Sequence, residues 1–124
     1  MMENMNERAV SAAARFLVRH GIDIIETNWK HGNASVDIVA EDGGAIVFVD
    51  VAARDTVEKG MPSEDVEGSR ERREISAGMW LAEHDDERFV DVPIRFDTIA
   101  MMVISEDRAF IRHHIGALSA EVAA

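Results

Sequence analysis

The stretch ASVDIVAEDGGAIVFVDVA, residues 34–52, decides the fold. It contains two β-rich runs, Ser35–Ala40 and Ala45–Ala52, separated by Glu41-Asp42-Gly43-Gly44. A short Gly-rich link between such runs predicts an antiparallel hairpin. The second run, AIVFVDVA, is apolar on both of its alternating faces, which predicts a central strand covered on both sides. A strand of that kind needs cover above and below, so the rest of the chain has to supply it.

Upstream, Glu7–His20 has helical spacing, with Val10, Ala13, Ala14 and Leu17 on one stripe and Gly21 as a stop. Ile22–Trp29 then reads as a strand, followed by a turn at His31-Gly32-Asn33. Downstream, Arg54–Asp65 holds Gly60, Pro62 and Ser63 and reads as a loop. A second helix is expected from Ser63, its N-cap, to near His84, packing through Ile75, Met79 and Leu81–Ala82. After an acidic connection at Asp85–Asp91, Ile94–Ile104 and Ala109–Ile115 read as two further strands joined by Ser105–Arg108, and Ala117–Ala124 as a short helix or frayed tail. The order is α-β-β-β-α-β-β, which predicts one α/β domain over residues 1–124, a mixed five-stranded sheet flanked by helices.

Composition narrows the function. With 124 residues, 47% hydrophobic and 30% charged, the chain is expected to form one globular domain. The absence of cysteine excludes disulfides, thiolate metal sites and a cysteine nucleophile. The apolar runs Ala45–Val49 and Ile99–Ile104 are far short of the ~20 residues of a membrane span. The polar Met1–Arg8 lacks a signal-peptide core, so no membrane association and a cytoplasmic location are expected. The net charge of −11 opposes nucleic-acid binding over most of the surface and leaves only a local basic patch to support it.

Two aspartates interrupt the apolar strands, Asp37 in VDIVA and Asp50 in VFVDV. With Gly43-Gly44 as a two-residue turn, Asp37 lies opposite Asp50; with a four-residue loop the two are diagonal neighbours. Either register puts both side chains on one sheet face, because strand side chains alternate with period two. Two carboxylates that close destabilise a sheet unless their charge is offset. A divalent cation, Mg²⁺ or Mn²⁺, is one offset. The alternative is that one aspartate faces a helix end or pairs with Arg54, Arg70, Arg72 or Arg73, and the other is partly exposed.

Around these residues the chain resembles the YraN-type family, small bacterial proteins taken to be nucleases and related in fold to archaeal Holliday-junction resolvases. The resemblance runs from about Ala9 to Ile115. It is carried by FLVRHGI, ETNW, ASVDIVAEDGGAIVFVDVAAR, GMPSEDV, WLAEH and RFDTIA, in that order. It implies a restriction-endonuclease-like fold and a metal-dependent nuclease site: a Glu on the first helix, Gly-Glu-x-Asp on the second strand and Glu-x-Lys on the third. In such a site carboxylates hold a divalent metal that activates water.

Matched to that pattern, this chain departs repeatedly. The helix glutamate falls on Val10, and Glu7 is a helical turn away. The Gly-Glu is Ala34-Ser35, Asp37 is kept, and Glu-x-Lys has become Asp50-Val51-Ala52. A lysine usual at the start of the second helix falls near Ser69, with Arg70 adjacent. Asp37 and Asp50 are therefore the remaining candidates for catalytic and metal-binding residues. Loss of one electrostatic contributor commonly costs ~100–1000-fold in rate, so cleavage is expected to be absent or very weak.

Arg70, Arg72 and Arg73, with Arg54 nearby, form the densest basic cluster and the candidate DNA contact. The interleaved Glu67, Glu71 and Glu74 give the alternative of a solvated, salt-bridged helix face. His113 and His114 are adjacent on a strand and point to opposite faces, so they cannot chelate together. Asp97 in RFDTIA is expected to order the sheet, and Trp29 and Trp80 to join the core. Three functions fit: a nucleic-acid-associated protein with impaired endonuclease activity, a non-enzymatic module that binds another protein, or an enzyme that recruits Glu7 or Arg54 into the emptied site.

Overall fold

A computed structural model of the chain describes residues 5–54, 69–84, 86–105 and 107–116. In chain order the elements are α1 (Met5–Arg19), β1 (Asp23–His31), β2 (Ala34–Asp42), β3 (Ala45–Arg54), α2 (Ser69–Glu83), β4 (Ile94–Ser105) and β5 (Arg108–His114), with one 3₁₀ turn at Glu87–Phe89. The five strands form one sheet in the spatial order β1-β2-β3-β4-β5. Neighbours are antiparallel except β3 and β4, which run parallel with α2 between them in the chain. The sheet is therefore mixed and the fold α/β, in the predicted order.

The hairpin forms as the sequence requires. Asp42 pairs with Ala45, leaving Gly43 and Gly44 as a two-residue turn with φ of 58° and 89°. Both φ values are positive, the demand of a type I′ turn, which glycine meets without steric cost.

Each sheet face carries its own core. On one face α1 lays Ala9, Val10, Ala13 and Leu17 against Ile38, Ala40, Val47, Val49, Val51, Ile99 and Met101. On the other, Ala77 and Trp80 of α2 pack with Trp29, Val39, Ile46, Phe48 and Phe96. Ile46 and Phe48 face α2 and Val47 and Val49 face α1, so β3 is covered on both sides, as its unbroken apolar run predicts. Trp80 and Leu17 are wholly buried, each burial stabilising the fold by about 1.5–3 kcal/mol.

Helix α2 docks through a different face from the one predicted. Ile75 and Met79 are exposed, while Arg73, Ser76, Ala77 and Trp80 are buried. The spacing is still helical, but an arginine heads the stripe because the strands beneath it offer a carboxylate, a hydroxyl and two carbonyls. Beside the apolar contacts of Ala77 and Trp80, the docking has further polar bonds. The Trp80 indole Nε1 donates to Glu26 Oε1 on β1 at 2.9 Å, and His84, stacked on Trp80 at 4.0 Å, meets the same oxygen at 3.1 Å. The N-cap expected at Ser63, the loop Arg54–Asp65 beyond Arg54 itself, the GMPSEDV stretch and the tail Ala117–Ala124 lie outside the described residues. Among the described residues no helix is long and apolar enough to cross a membrane.

Candidate functional site

The register that sets Asp42 against Ala45 carries Asp37 to the level of Asp50, whose side chain lies on the face that α2 covers. Regular pairing ends one residue earlier, at Ile38–Val49. There the Asp37 carboxylate takes over from the backbone ladder, its Oδ2 accepting the Val51 N–H at 2.8 Å. Alternation along β2 also breaks at this residue, since Val36 packs in the α2-side core while Ile38 packs in the α1-side core. Asp37 therefore terminates the β2–β3 ladder with its side chain.

Asp50 is the half-buried partner, and α2 supplies its counter-charge. Arg73 Nε and Arg72 Nη2 both reach Asp50 Oδ2, at 3.1 and 3.2 Å. Of the two offsets open to the carboxylate pair, arginine is the one present for Asp50. Arg73 goes further than an ion pair. Its Nη1 donates to Thr98 Oγ1 at 3.1 Å, its Nη2 to the carbonyls of Phe48 (3.3 Å) and Asp97, and its guanidinium lies 5.6 Å from the Phe96 ring centre. One buried side chain thus ties α2 to β3 and β4.

The electrostatics follow from these contacts. Burial pushes the Asp37 carboxyl above the usual aspartate value and the charge of Asp50 adds to the rise, against the Val51 N–H and the two arginines, which lower it. Burial pulls Arg73 below the ordinary arginine value, opposed by Asp50. Carboxylates raised by burial and a like-charged neighbour are a mark of functional sites, although structural ion-pair networks produce the same shift.

The basic cluster is dispersed by the fold. Arg73, read from the sequence as a DNA contact, is buried and committed to the sheet, so it cannot reach a phosphate. Arg72 is drawn to Asp50, and Arg70 pairs with Glu74 one helical turn on, at 3.5 Å. Arg54 lies on the same face of β3 as Asp50, half-buried and with a partner of its own. Val10, where the family pattern has a glutamate, is wholly buried in the core between α1 and the opposite face of the sheet. Ser35 donates its backbone N–H to Ser76 Oγ of α2 at 3.3 Å.

Asp37 and Asp50 alone do not make a complete metal site. Among the described residues no three His, Asp or Glu side chains converge in a ligand arrangement. The oxygen of Asp50 facing α2 is already held by two guanidiniums, which a cation would have to displace.

A second carboxylate centre, absent from the functional reading of the sequence, lies on the α1 side. Asp97 is fully buried and accepts hydrogen bonds from charged and neutral neighbours: Arg95 donates to both oxygens at 2.9 Å, His113 Nε2 lies 2.7 Å from Oδ2, and the Gly116 N–H donates to Oδ1 at 2.9 Å. Arg95 also reaches Asp42 on β2 at 3.0 Å. Burial alone would raise the Asp97 pKa, but the bonds from His113, Arg95 and Gly116 outweigh it and hold the carboxyl below its ordinary value. This network joins β2, β4, β5 and the chain after β5, as expected of a residue that orders the sheet.

The quoted family stretches thus map onto the joints of the fold: Glu26 and Trp29 in ETNW, Trp80 and His84 in WLAEH, and Arg95, Asp97 and Thr98 in RFDTIA. A sequence profile of the uncharacterised protein family UPF0102 matches residues 10–101. The chain is 38% identical to a UPF0102 protein of Desulforapulum autotrophicum, covering 88% of this chain and 90% of that one. It is 33% identical to a UPF0102 protein of Renibacterium salmoninarum (82% and 84% covered) and 36% identical to one of Geobacter sulfurreducens (86% and 81% covered). The chain belongs to the family UPF0102, the YraN-type family whose pattern its sequence resembles.

Proposed function

We propose that this chain is a nucleic-acid-associated member of a nuclease-like family in which metal-dependent endonuclease activity is absent or strongly impaired. The observation that carries the reading is the occupation of Asp50 by Arg72 and Arg73. Where the family pattern has a carboxylate and a lysine two residues apart, on one strand face, this chain has an arginine-neutralised aspartate and Ala52. A methyl group cannot position a water or offset charge in a transition state. Mg²⁺ or Mn²⁺ at Asp37 and Asp50 would compete with two guanidiniums held 3.1 and 3.2 Å from the carboxylate, so any such binding is weak.

The non-enzymatic alternative, a module that binds another protein, is favoured by one observation in particular. With Arg73 buried and Arg70 and Arg72 ion-paired, the described residues of the face that would grip DNA offer little unpaired positive charge to set against a net charge of −11. Recruitment of Glu7 has less support: α1 lies on the sheet face opposite Asp50.

The deciding experiment incubates the protein with linear, branched and single-stranded DNA plus Mg²⁺ or Mn²⁺, beside Asp37→Asn. No cleavage by either chain is expected. Cleavage by the parent that disappears in Asp37→Asn would overturn the reading. Binding of the same DNAs without cleavage separates the nucleic-acid reading from the protein-module one.

A further inference from the structure

Among the described residues, a concentration of positive charge without ion-pair partners lies away from the aspartates. A groove of about 490 Å³ runs between α1 and the β4–β5 hairpin, and Arg8, Arg15 and Arg19 of α1 and Arg108 of β5 line it. Steps of seven and four residues keep the three helical arginines on one stripe. The chain has thirteen basic residues against twenty-four acidic ones, yet four of the thirteen gather here, and among the described residues none of the four has an ion-pair partner. By contrast Arg70, Arg72, Arg73, Arg88 and Arg95 are all paired. The acidic residue of the lining, Asp107, accepts a hydrogen bond from Ser105 Oγ at 2.9 Å.

Behind the arginines the wall is apolar, formed by Met101, Val103 and Ile111. The groove therefore combines an anion grip with a greasy floor at a volume typical of small-molecule sites.

We propose that this groove binds a small ligand bearing several phosphates, such as a nucleoside triphosphate, with the phosphates on the arginines and the nucleoside on the apolar wall. Guanidinium forks match phosphate oxygens in pairs, which makes arginine the residue suited to such a grip. A compact ligand suits this protein better than a nucleic-acid strand. A strand leaving the groove would run along a surface whose overall charge is −11, whereas a triphosphate stays within the local positive field. The site is on the opposite side of the sheet from Asp50 and does not depend on whether that face cleaves anything.

The test is calorimetric titration of the full chain with ATP, with inorganic tripolyphosphate and with a short single-stranded oligonucleotide. Arg15→Glu, Arg108→Glu and Arg88→Glu each change the net charge equally, and all three side chains are exposed. Saturable binding of ATP and tripolyphosphate is expected, weakened by at least about tenfold in Arg15→Glu and in Arg108→Glu, since one charge-assisted contact is lost in each. Arg88→Glu, outside the groove, should bind as the parent does. The proposal is overturned if the parent shows no saturable binding, if all three variants weaken it alike, or if the oligonucleotide binds more tightly than ATP and loses that binding in Arg15→Glu and Arg108→Glu.

Discussion

Asp37 and Asp97 are both aspartates inside apolar strands of one sheet, and the fold treats them in opposite ways. Asp97 is surrounded by donors: both arms of Arg95, His113 and the Gly116 N–H. Asp37 has the Val51 N–H and faces another carboxylate. Burial acts on both, but only at Asp97 is it outweighed, so one pKa falls and the other rises. A carboxylate built for structure is supplied with enough donors to stay ionised. Asp37 keeps a like-charged neighbour, whose charge Arg72 and Arg73 offset.

The comparison is most exposed at Asp97. Asp97→Ala leaves Arg95 and His113 without their buried acceptor and should cost about 3–5 kcal/mol, read from urea unfolding. The pH dependence has a definite sign. Because the folded pKa lies below the unfolded one, the stability from Asp97 is complete above the ordinary aspartate range and is lost as pH falls through the lowered value. The parent should therefore lose stability in acid more steeply than Asp97→Ala, and equal slopes would remove the network from the account.

Arg73→Met should have the next largest effect, about 2–3 kcal/mol by the same measurement. It removes the donor to Thr98 and to two strand carbonyls, while Asp50 keeps Arg72. A change near zero would mean that Arg73 fills space and little else.

The smallest effect is expected at Asp37, and its direction is reversed. A raised folded pKa means that the contribution of Asp37 is present below the unfolded value and lost as pH rises through the folded one. Asp37→Asn has no charge to bury and its amide oxygen can still accept the Val51 N–H. The variant should be more stable than the parent at neutral pH, the gap closing as pH falls into the aspartate range. A variant less stable at neutral pH would show that the ionised carboxylate is needed for the fold.

Much of this architecture was legible in the sequence, for local reasons. Gly43-Gly44 can serve a two-residue turn that few other pairs tolerate, and the apolar run of β3 has no stable place except between two layers. The closeness of Asp37 and Asp50 follows from the hairpin register, which pairs Ile38 with Val49. The docking face of α2 did not follow, because its buried stripe begins with Arg73. Nothing within the helix marks that arginine as interior; its place depends on Asp50, Thr98 and carbonyls of two distant strands. Ile75 and Met79 gave the wrong face for the same reason, as periodicity weighs apolar side chains and not the partners waiting on the sheet. Glu26 was overlooked as an anchor because its partner, the Trp80 indole, is remote in sequence. The arginine groove escaped too, since Arg108 joins the α1 stripe only when the β4–β5 hairpin folds beside it.

The central claim is that arginines, and not a cation, neutralise Asp50. It is tested most directly by titrating Mn²⁺ into the protein and following free Mn²⁺ by electron paramagnetic resonance, with Asp50→Asn in parallel. The account predicts only weak, unsaturated binding that is the same in both chains. A saturable site in the parent that vanishes in Asp50→Asn would contradict it.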